Sequence, residues 1–130
     1  MLYLFFVFLI KNDNIIHILF FIFLFSFLIT FINNPGIPER KYYSKSKAQK
    51  NYLKCKKCNI IAPTELNLGH CIDCDICIKG YDHHCSWVGK CIGKGNIIYF
   101  YIFILSFLGF ILFLLFKIFL FLYHISKNSS

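Results

Sequence analysis

The sequence predicts a multi-pass α-helical membrane protein with a small, irregular, cysteine-rich module of β-hairpins between its spans. Three observations support this fold class. The chain is 58% hydrophobic and 20% aromatic over 130 residues, and a soluble domain of this size cannot bury so much apolar surface. The apolar residues are concentrated in two long runs, residues 15–32 and 97–123. All seven cysteines lie in the polar stretch between these runs.

The two long apolar runs predict transmembrane helices. The first, residues 15–32, would extend about 27 Å as a helix, which is enough to cross the hydrocarbon layer of a bilayer. A turn signal at residues 33–36 (Asn-Asn-Pro-Gly) ends it. In the second run, residues 97–123, an uninterrupted apolar stretch long enough to cross precedes Lys117, whose ammonium can reach the headgroups.

The two ends of the chain carry weaker signals. Residues 1–10 are apolar but too short to cross a bilayer as a helix. We interpret them as part of an earlier span, because a cleaved signal peptide would begin with basic residues and end at a small-residue cleavage site. The tail, residues 124–130, is expected on the lumenal side. No internal sequence repeat is recognised.

Positive charge is concentrated between the spans. The formal net charge is +8, and 11 of the 14 lysine and arginine residues lie between Asn33 and Asn96. Basic loops beside spans stay in the cytoplasm, so the linker at residues 33–54 and the module at residues 55–96 are expected there. The linker is also expected to attract anionic lipid headgroups. Nucleic acid is not an expected partner, because no recognised nucleic-acid module occurs.

The cysteine-rich module has the ligand types and spacing of zinc sites. In a reducing cytosol such a cluster favours metal binding or reactivity over disulfides. Cysteine pairs separated by two residues can direct both sulfurs at one ion, and the module has such pairs. His70 and Cys71 are adjacent, so their side chains diverge and serve different ions. The spacing therefore predicts two interleaved Cys3His sites: Cys55, Cys58, His70 and Cys77 for zinc 1, and Cys71, Cys74, His84 and Cys91 for zinc 2.

This assignment leaves one thiol, Cys85, beside His83 and Asp82. A free cysteine near a histidine and a carboxylate is the arrangement of an activated sulfur nucleophile. Zinc sites with three thiolates carry net negative charge, which opposes ionisation of a nearby thiol, so a base has to take the proton. His83, oriented by Asp82, is the candidate base. On spacing alone an alternative stays open, in which Cys85 itself binds zinc and His83 only packs.

Three motif segments connect the module to a known family. They are His70-Cys71-x2-Cys74-x2-Cys77, then Asp82-His83-His84-Cys85-x-Trp87-Val88, then Cys91-Ile92-Gly93-x2-Asn96-x3-Phe100. Together they closely resemble the DHHC cysteine-rich domain of protein S-acyltransferases (palmitoyltransferases). The resemblance implies a cytosolic module with two structural zinc ions held by the same ligands. It also implies that Cys85 is the acylated residue, supported by His83 and Asp82.

The activity implied by this resemblance is that of a protein-cysteine S-palmitoyltransferase. Such an enzyme moves a long-chain acyl group, with palmitoyl expected, from acyl-CoA through an acyl-Cys85 intermediate to cysteines of membrane-associated proteins. Lys79, Lys90 and Lys94 are candidate contacts for the CoA phosphates. The expected partners are membrane lipid, acyl-CoA, protein substrates with cytosolic cysteines, and another subunit that completes the helix bundle. The expected location is an endomembrane such as the ER or Golgi, or the plasma membrane.

The family normally has four spans, so the resemblance implies a truncated version of that architecture. Two other functions are weighed against the acyltransferase. One is a catalytically idle zinc module that acts as a membrane scaffold or as an accessory subunit of an acyltransferase. The other is a membrane-anchored RING-like ubiquitin ligase, which also binds two zinc ions. A RING has no adjacent His-Cys ligand pair and no use for the set Asp82, His83 and Cys85, so it fits poorly.

Overall fold

The computed structural model describes residues 14–39 and 52–128, which form two long helices and three β-hairpins. Helix α1 spans Asn14–Ile32 and helix α2 spans Ile97–Asn128. Three two-stranded antiparallel sheets lie between them in the chain: β1 (Tyr52–Cys55) with β2 (Ile60–Pro63), β3 (Leu68–Cys71) with β4 (Ile76–Lys79), and β5 (His83–Cys85) with β6 (Lys90–Ile92). A 3₁₀ turn, Thr64–Leu66, connects β2 to β3. Two helices flanking a strand-rich cysteine module confirm the coarse fold class. The predictions for residues 1–10, 40–51 and 129–130 lie outside the described residues.

Both helices are long and apolar enough to cross a membrane. Helix α1 ends where Asn33 donates its side-chain amide to the carbonyl of Ile29 and Pro35 follows. Helix α2 continues through Asn128, so residues 124–128, which the sequence places in a lumenal tail, are helical. The reason is that no glycine or proline after Gly109 interrupts it. Residues 52–54, placed by the sequence in the basic linker, belong to β1.

The chain divides into two compact units, the first made of α1 up to Ser26 and α2 from Ile102 onward. Its two helical segments pack through aromatic rings: Phe23 lies 5.5 Å from Phe103 and 5.6 Å from Phe107, between ring centroids. The hydroxyl oxygens of Ser26 and Ser106 are 3.4 Å apart, and both residues are buried. Small polar residues are typical of interfaces between membrane helices, because they allow close approach and hydrogen bonding.

The second unit, Phe27–Tyr101, contains three hairpins whose turns have the same length and a similar conformation. In each, the first strand ends at a cysteine and four residues follow before the second strand. The last turn residue has positive φ in all three hairpins, at 52° for Asn59, 53° for Asp75 and 65° for Gly89. Asn, Asp and Gly are the residues that adopt this left-handed conformation most readily. The structure therefore contains a repeated hairpin, although the sequence analysis recognises no repeat.

Among the described residues of this unit, the hydrophobic clusters between the hairpins are small. One cluster consists of Ile60, Ala62 and Cys77, and another of Cys71, Ile78 and Cys91. Three of these six buried residues are cysteines, so the two clusters are built around the candidate metal ligands. A module of this size with so little buried apolar surface needs additional cross-links, which disulfides or metal ions usually supply.

The loop after α1 is attached to the hairpins by backbone hydrogen bonds. The amide of Lys79 donates to the carbonyl of Gly36 at 2.9 Å, and the amide of Gly95 donates to the carbonyl of Pro35 at 3.1 Å. A side chain at Gly95 would collide with the carbonyl oxygen of Asn34, so only glycine allows this approach. The hairpins are thereby held at the end of α1.

Candidate functional site

The first candidate metal centre joins hairpins β1–β2 and β3–β4. Cys55 ends strand β1 and Cys58 lies in the turn that follows, whereas His70 and Cys77 come from the paired strands β3 and β4. The Nδ1 atom of His70 lies 3.7 Å from the Cys55 sulfur, 3.3 Å from the Cys58 sulfur and 3.8 Å from the Cys77 sulfur. All four ligand atoms lie within 4.8 Å of one another.

The second candidate centre repeats this arrangement one hairpin later. Cys71 ends strand β3 and Cys74 lies in the turn that follows, whereas His84 and Cys91 face each other across β5 and β6. The Nδ1 atom of His84 lies 3.7 Å from the Cys71 sulfur, 3.3 Å from the Cys74 sulfur and 3.6 Å from the Cys91 sulfur. The two groups are the two sets that the cysteine spacing predicted.

Both groups fit a four-coordinate zinc ion. Zn–S bonds of about 2.3 Å and Zn–N bonds of about 2.0–2.1 Å at the tetrahedral angle place sulfur and nitrogen about 3.6 Å apart. The observed sulfur–nitrogen distances, from 3.3 to 3.8 Å, bracket this value. Four protein ligands leave no open position, which is typical of a structural site and not of a catalytic one. The two clusters can therefore hold metal ions that cross-link consecutive hairpins.

The electrostatics of the thiols also favour a cation in each cluster. Burial, together with hydrogen bonding and negative charge from Cys55 and Cys58, raises the pKa of the Cys77 thiol. Burial and the neighbouring thiols Cys71 and Cys74 raise the pKa of Cys91 in the same way. Burial and the neighbouring thiols thus oppose ionisation of Cys77 and Cys91, and a divalent cation would offset this cost. Metal binding is expected to release protons and to weaken as the pH falls.

The candidate ligands also interact with one another and with groups outside the two clusters. Burial opposes ionisation of Cys71, but hydrogen bonds from the Cys74 backbone and the Cys91 side chain outweigh it and lower the pKa of Cys71 to about 7. Burial and a hydrogen bond with Cys71 raise the pKa of Tyr81 to about 12. The carboxylate of Asp75 lies 3.3 Å from Nε2 of His70 without hydrogen-bond geometry, so this contact is electrostatic.

Hairpin β5–β6 separates its side chains into two chemical faces. Side chains alternate between the faces of a strand, and residues directly opposite in a pair share a face. The register pairs His84 with Cys91, so both metal ligands lie on one face. It also pairs Cys85 with Lys90 and His83 with Ile92, which places these four on the other face. Cys85 and His83 therefore share a face that points away from the second candidate metal centre.

The position of Cys85 explains why it lies outside both metal clusters. It ends the first strand of its hairpin, as Cys55 and Cys71 do in theirs. In those two hairpins the third turn residue is a second cysteine, whereas in β5–β6 it is Val88, which is buried. The third hairpin thus has the turn of a zinc-binding pair with one ligand missing. Cys85 itself is buried, with 8% of its surface exposed.

The groups expected to support Cys85 contact each other. Nδ1 of His83 lies 3.2 Å from the Asp82 carboxylate. This contact favours the tautomer with hydrogen on Nδ1 and leaves Nε2 as the proton acceptor. The ring of Phe100, in the first turn of α2, packs edge-on against the His83 ring with 5.2 Å between centroids. The sequence included Phe100 in a motif but gave no sign of this contact.

The three lysines expected to contact phosphate have different surroundings. The Lys79 ammonium lies 3.9 Å from the Glu39 carboxylate, and Lys94 is exposed. The Lys90 ammonium instead donates to the carbonyl oxygens of Phe31 and Asn33 at the end of α1. The backbone amide of Lys94 donates to the carbonyl of Lys79 at 3.0 Å, so these two residues are neighbours, whereas the ammonium of Lys90 contacts the end of α1.

Asn96 is a buried polar residue whose role the sequence analysis missed. It is fully buried, and its side-chain amide donates to the carbonyls of Cys91 at 3.1 Å and Thr30 at 3.3 Å. Its side-chain oxygen accepts from the amide of Gly93 at 3.0 Å. All its hydrogen-bonding groups are thus satisfied, and it connects β6 and the start of α2 to the end of α1.

Comparison with known proteins identifies similar sequences. A family model described as DHHC palmitoyltransferase matches residues 48–130, which is more than half of the chain. The chain is 52% identical over 52 residues to the palmitoyltransferase ZDHHC9 of Homo sapiens, covering 40% of this chain and 14% of that protein. It is 41% identical over 78 residues to the palmitoyltransferase SWF1 of Saccharomyces cerevisiae, covering 60% of this chain and 21% of that protein. The chain therefore spans about a seventh to a fifth of the length of these relatives.

Proposed function

This chain belongs to the DHHC palmitoyltransferase family, and on that premise we propose that it is a protein S-acyltransferase with Cys85 as its nucleophile. The observation that carries the proposal is the division of hairpin β5–β6 into two faces. Its register directs His84 and Cys91 to the metal face, and keeps Cys85 on the opposite face with His83. A thiol outside the metal clusters, on the same strand face as a carboxylate-bound imidazole, supports the assignment of an activated sulfur nucleophile.

The first half of the proposed reaction loads the enzyme. Nε2 of His83 takes the proton from the Cys85 thiol, while the Asp82 carboxylate holds the opposite ring nitrogen and stabilises the imidazolium. The Cys85 sulfur attacks the carbonyl carbon of a long-chain acyl-CoA thioester, for which we propose palmitoyl-CoA. The bond to the CoA sulfur breaks, and CoA leaves with the proton from His83. The product is an acyl-Cys85 thioester.

The second half transfers the acyl group to a protein. The thiol of an acceptor cysteine loses its proton to His83, and its sulfur attacks the carbonyl carbon of acyl-Cys85. The bond to Cys85 breaks, and the proton returns from His83 to the Cys85 sulfur. The acceptors that we propose are membrane-associated proteins with cytosolic cysteines. The acyl chain stays dissolved in the bilayer, so its thioester lies at the membrane surface, where the cysteines of such proteins can reach it.

The two metal centres have a structural role in this proposal. The ion that we propose is zinc, held by Cys55, Cys58, His70 and Cys77 in one site and by Cys71, Cys74, His84 and Cys91 in the other. Each site has four protein ligands, so the ions cross-link the hairpins and take no part in bond making. This cross-linking is what the small apolar core of the hairpins does not provide.

The surroundings of the site support placement at a membrane surface. We propose that the hairpins face the cytosol, where acyl-CoA and the basic linker would both be found. Lys79 and Lys94 are the proposed contacts for CoA phosphates. Another subunit is proposed to add further helices, because large apolar side chains of both helices are exposed, including Phe21, Phe25, Leu105 and Leu112.

Acyl-enzyme formation tests the proposed function. The full chain, expressed in membranes, is incubated with alkyne-tagged palmitoyl-CoA, and both label on the chain and release of free CoA are measured. We expect a thioester-linked label that hydroxylamine removes. If a chain with two bound zinc ions carries no such label and releases no CoA, the chain by itself is not an S-acyltransferase and the idle zinc module or accessory subunit is the better description.

Replacing His83 with alanine is expected to slow acyl-enzyme formation at neutral pH by about 10²–10⁴-fold, the usual contribution of a general base. The zinc content should remain at two ions per chain, because His83 is in neither metal cluster. The measurement is the initial rate of label incorporation, with His124→Ala as the matched control. His124 is also a histidine but belongs to the exposed end of α2. An unchanged rate in His83→Ala would refute the assignment of His83 as the base.

A further inference from the structure

The side chain of Lys90 connects the hairpin of Cys85 to the end of helix α1. Its ammonium donates to the carbonyl oxygen of Asn33 at 2.7 Å and to that of Phe31. It also lies 5.8 Å from the centroid of the Phe31 ring, within the range of a cation–π contact. The last carbonyls of a helix lack intrahelical donors and carry partial negative charge, so a cation is stabilising there.

Lys90 is directly opposite Cys85 in the β5–β6 pairing. Facing residues of an antiparallel pair have Cα atoms about 4.5–5.5 Å apart, and their side chains share a face. The proposed nucleophile is therefore connected to the end of α1 through two links. Cys85 pairs with Lys90 in the hairpin, and the Lys90 side chain contacts the last carbonyls of the helix. A displacement of the Lys90 ammonium along α1 would move the strand that holds Cys85.

Comparison of the three hairpins indicates that their fold does not require a lysine at this position. The residue opposite the strand-ending cysteine is Ile60 in the first hairpin and Ile76 in the second. Ile60 is fully buried in the core. Among the three described hairpins, the one that contains Cys85 has a cation here, and this cation reaches the end of α1. The hairpin that has lysine instead of isoleucine at this position is therefore the one that contains the proposed nucleophile.

A second connection shows that Lys90 is not needed to attach the hairpin. Asn96 donates to the carbonyl of Thr30 in α1 and to that of Cys91 in β6, and it is fully buried. The second metal centre also holds β5 and β6 through His84 and Cys91. Loss of the Lys90 ammonium should therefore leave the hairpin folded and attached, but free to shift relative to the last turn of α1.

We propose that Lys90 is a positioning residue that sets the depth of Cys85 relative to the membrane end of α1. The inference rests on the proposed function, because an acyl chain dissolved in the bilayer presents its thioester at one depth. A misplacement of about 1 Å between reacting groups can cost about 100-fold in rate. The ammonium of Lys90 thus serves the reaction through the position of Cys85, without touching the substrate.

The test compares full-length chains in membrane vesicles: wild type, Lys90→Met, Lys90→Arg and the matched control Lys54→Met, which removes an exposed lysine of β1. Three quantities are measured for each: zinc per chain, the initial rate of acyl-enzyme formation, and the rates of Cys85 alkylation by a charged and by a lipid-soluble maleimide. A Cys85→Ser version of each chain gives the background from the six other cysteines. The ratio of the two alkylation rates reports the depth of Cys85 and requires no acyl transfer.

We expect Lys90→Met to keep two zinc ions per chain. Its alkylation ratio should change by at least about threefold, because reactivity follows the exposure of the thiol, and its acylation should slow by about tenfold or more. Lys90→Arg should restore both values, since a guanidinium also donates to the helix carbonyls. Lys54→Met should behave as the wild type.

Two results would overturn the proposal. Loss of zinc from Lys90→Met would mean that Lys90 only stabilises the hairpin, and an unchanged alkylation ratio with two zinc ions bound would mean that it does not set the depth of Cys85. Failure of the proposed function gives a different pattern. The wild type would then form no acyl-enzyme, while the alkylation ratio would still change in Lys90→Met and return in Lys90→Arg.

Discussion

Replacing Cys85 with serine is expected to remove all hydroxylamine-sensitive acyl label from the chain while leaving two zinc ions bound. Removing the nucleophile of a covalent enzyme costs up to about 10⁶ in kcat, which lies below the detection limit of a labelling experiment. Serine is close in size to cysteine, so the buried position should accept it with little loss of stability. Cys85 lies in neither cluster, so no ligand is removed.

The measurement combines tagged-palmitate labelling, hydroxylamine treatment and metal analysis of the same purified chain. The wild type provides the positive control, and the zinc content of Cys85→Ser tests whether the hairpins are intact. Zinc analysis also decides the alternative that spacing alone leaves open. A fall from two zinc ions to one in Cys85→Ser would identify Cys85 as a ligand, and its assignment as nucleophile would be wrong. Label that persists with two zinc ions bound would place the acylated residue elsewhere.

Replacing Cys77 with serine is expected to release one zinc ion and to unfold the first two hairpins. Cys77 is buried, and its sulfur lies 3.8 Å from Nδ1 of His70 in the first metal cluster. Structural zinc contributes about 10–16 kcal/mol of apparent binding free energy in zinc-finger peptides at neutral pH. This exceeds or equals the total stability of a typical domain, about 5–15 kcal/mol. The small clusters around Ile60 and Ile78 cannot replace it.

Cys85→Ser is the matched control for this variant, because it makes the same chemical change at another buried cysteine of the module. Zinc per chain and resistance of the hairpins to proteolysis are measured for both variants, before and after a strong chelator. We expect Cys77→Ser to bind one zinc ion at most and to be cleaved rapidly, as the chelated wild type is. A protease-resistant Cys77→Ser chain with two zinc ions would show that Cys77 is not a ligand.

Much of the fold and of the metal sites could be predicted from the sequence because their determinants are local. A run of apolar residues such as 15–32 predicts a span from its length alone. A pair such as Cys55 and Cys58 is separated by one short turn, so two sulfurs at one ion follow from spacing. The divergence of adjacent His70 and Cys71 then separates two ligand sets, and the structure brings together the same eight side chains.

The determinants of the proposed catalytic residues were only partly local. The adjacency of Asp82 and His83 pointed to their contact, and the structure has it at 3.2 Å. The proposed nucleophile was identified as the cysteine left over, with its use as a ligand still open. The reason that Cys85 lies outside both candidate metal clusters is that the three hairpins have the same register and turn length. Val88 then occupies the place of the second cysteine in the other two turns.

The sequence by itself indicated which residues can bind metal and which segments can cross a membrane, since each depends on neighbours within a few positions. It pointed to Cys85 as the remaining thiol but left its use as a zinc ligand open. The tertiary structure decided where the remaining side chains point. The Lys90 ammonium reaches carbonyls of Phe31 and Asn33, nearly 60 positions earlier in the chain. Phe100 was only a motif position and packs on His83. Both contacts join separate elements, and no local spacing or charge pattern encodes which distant backbone a side chain will meet.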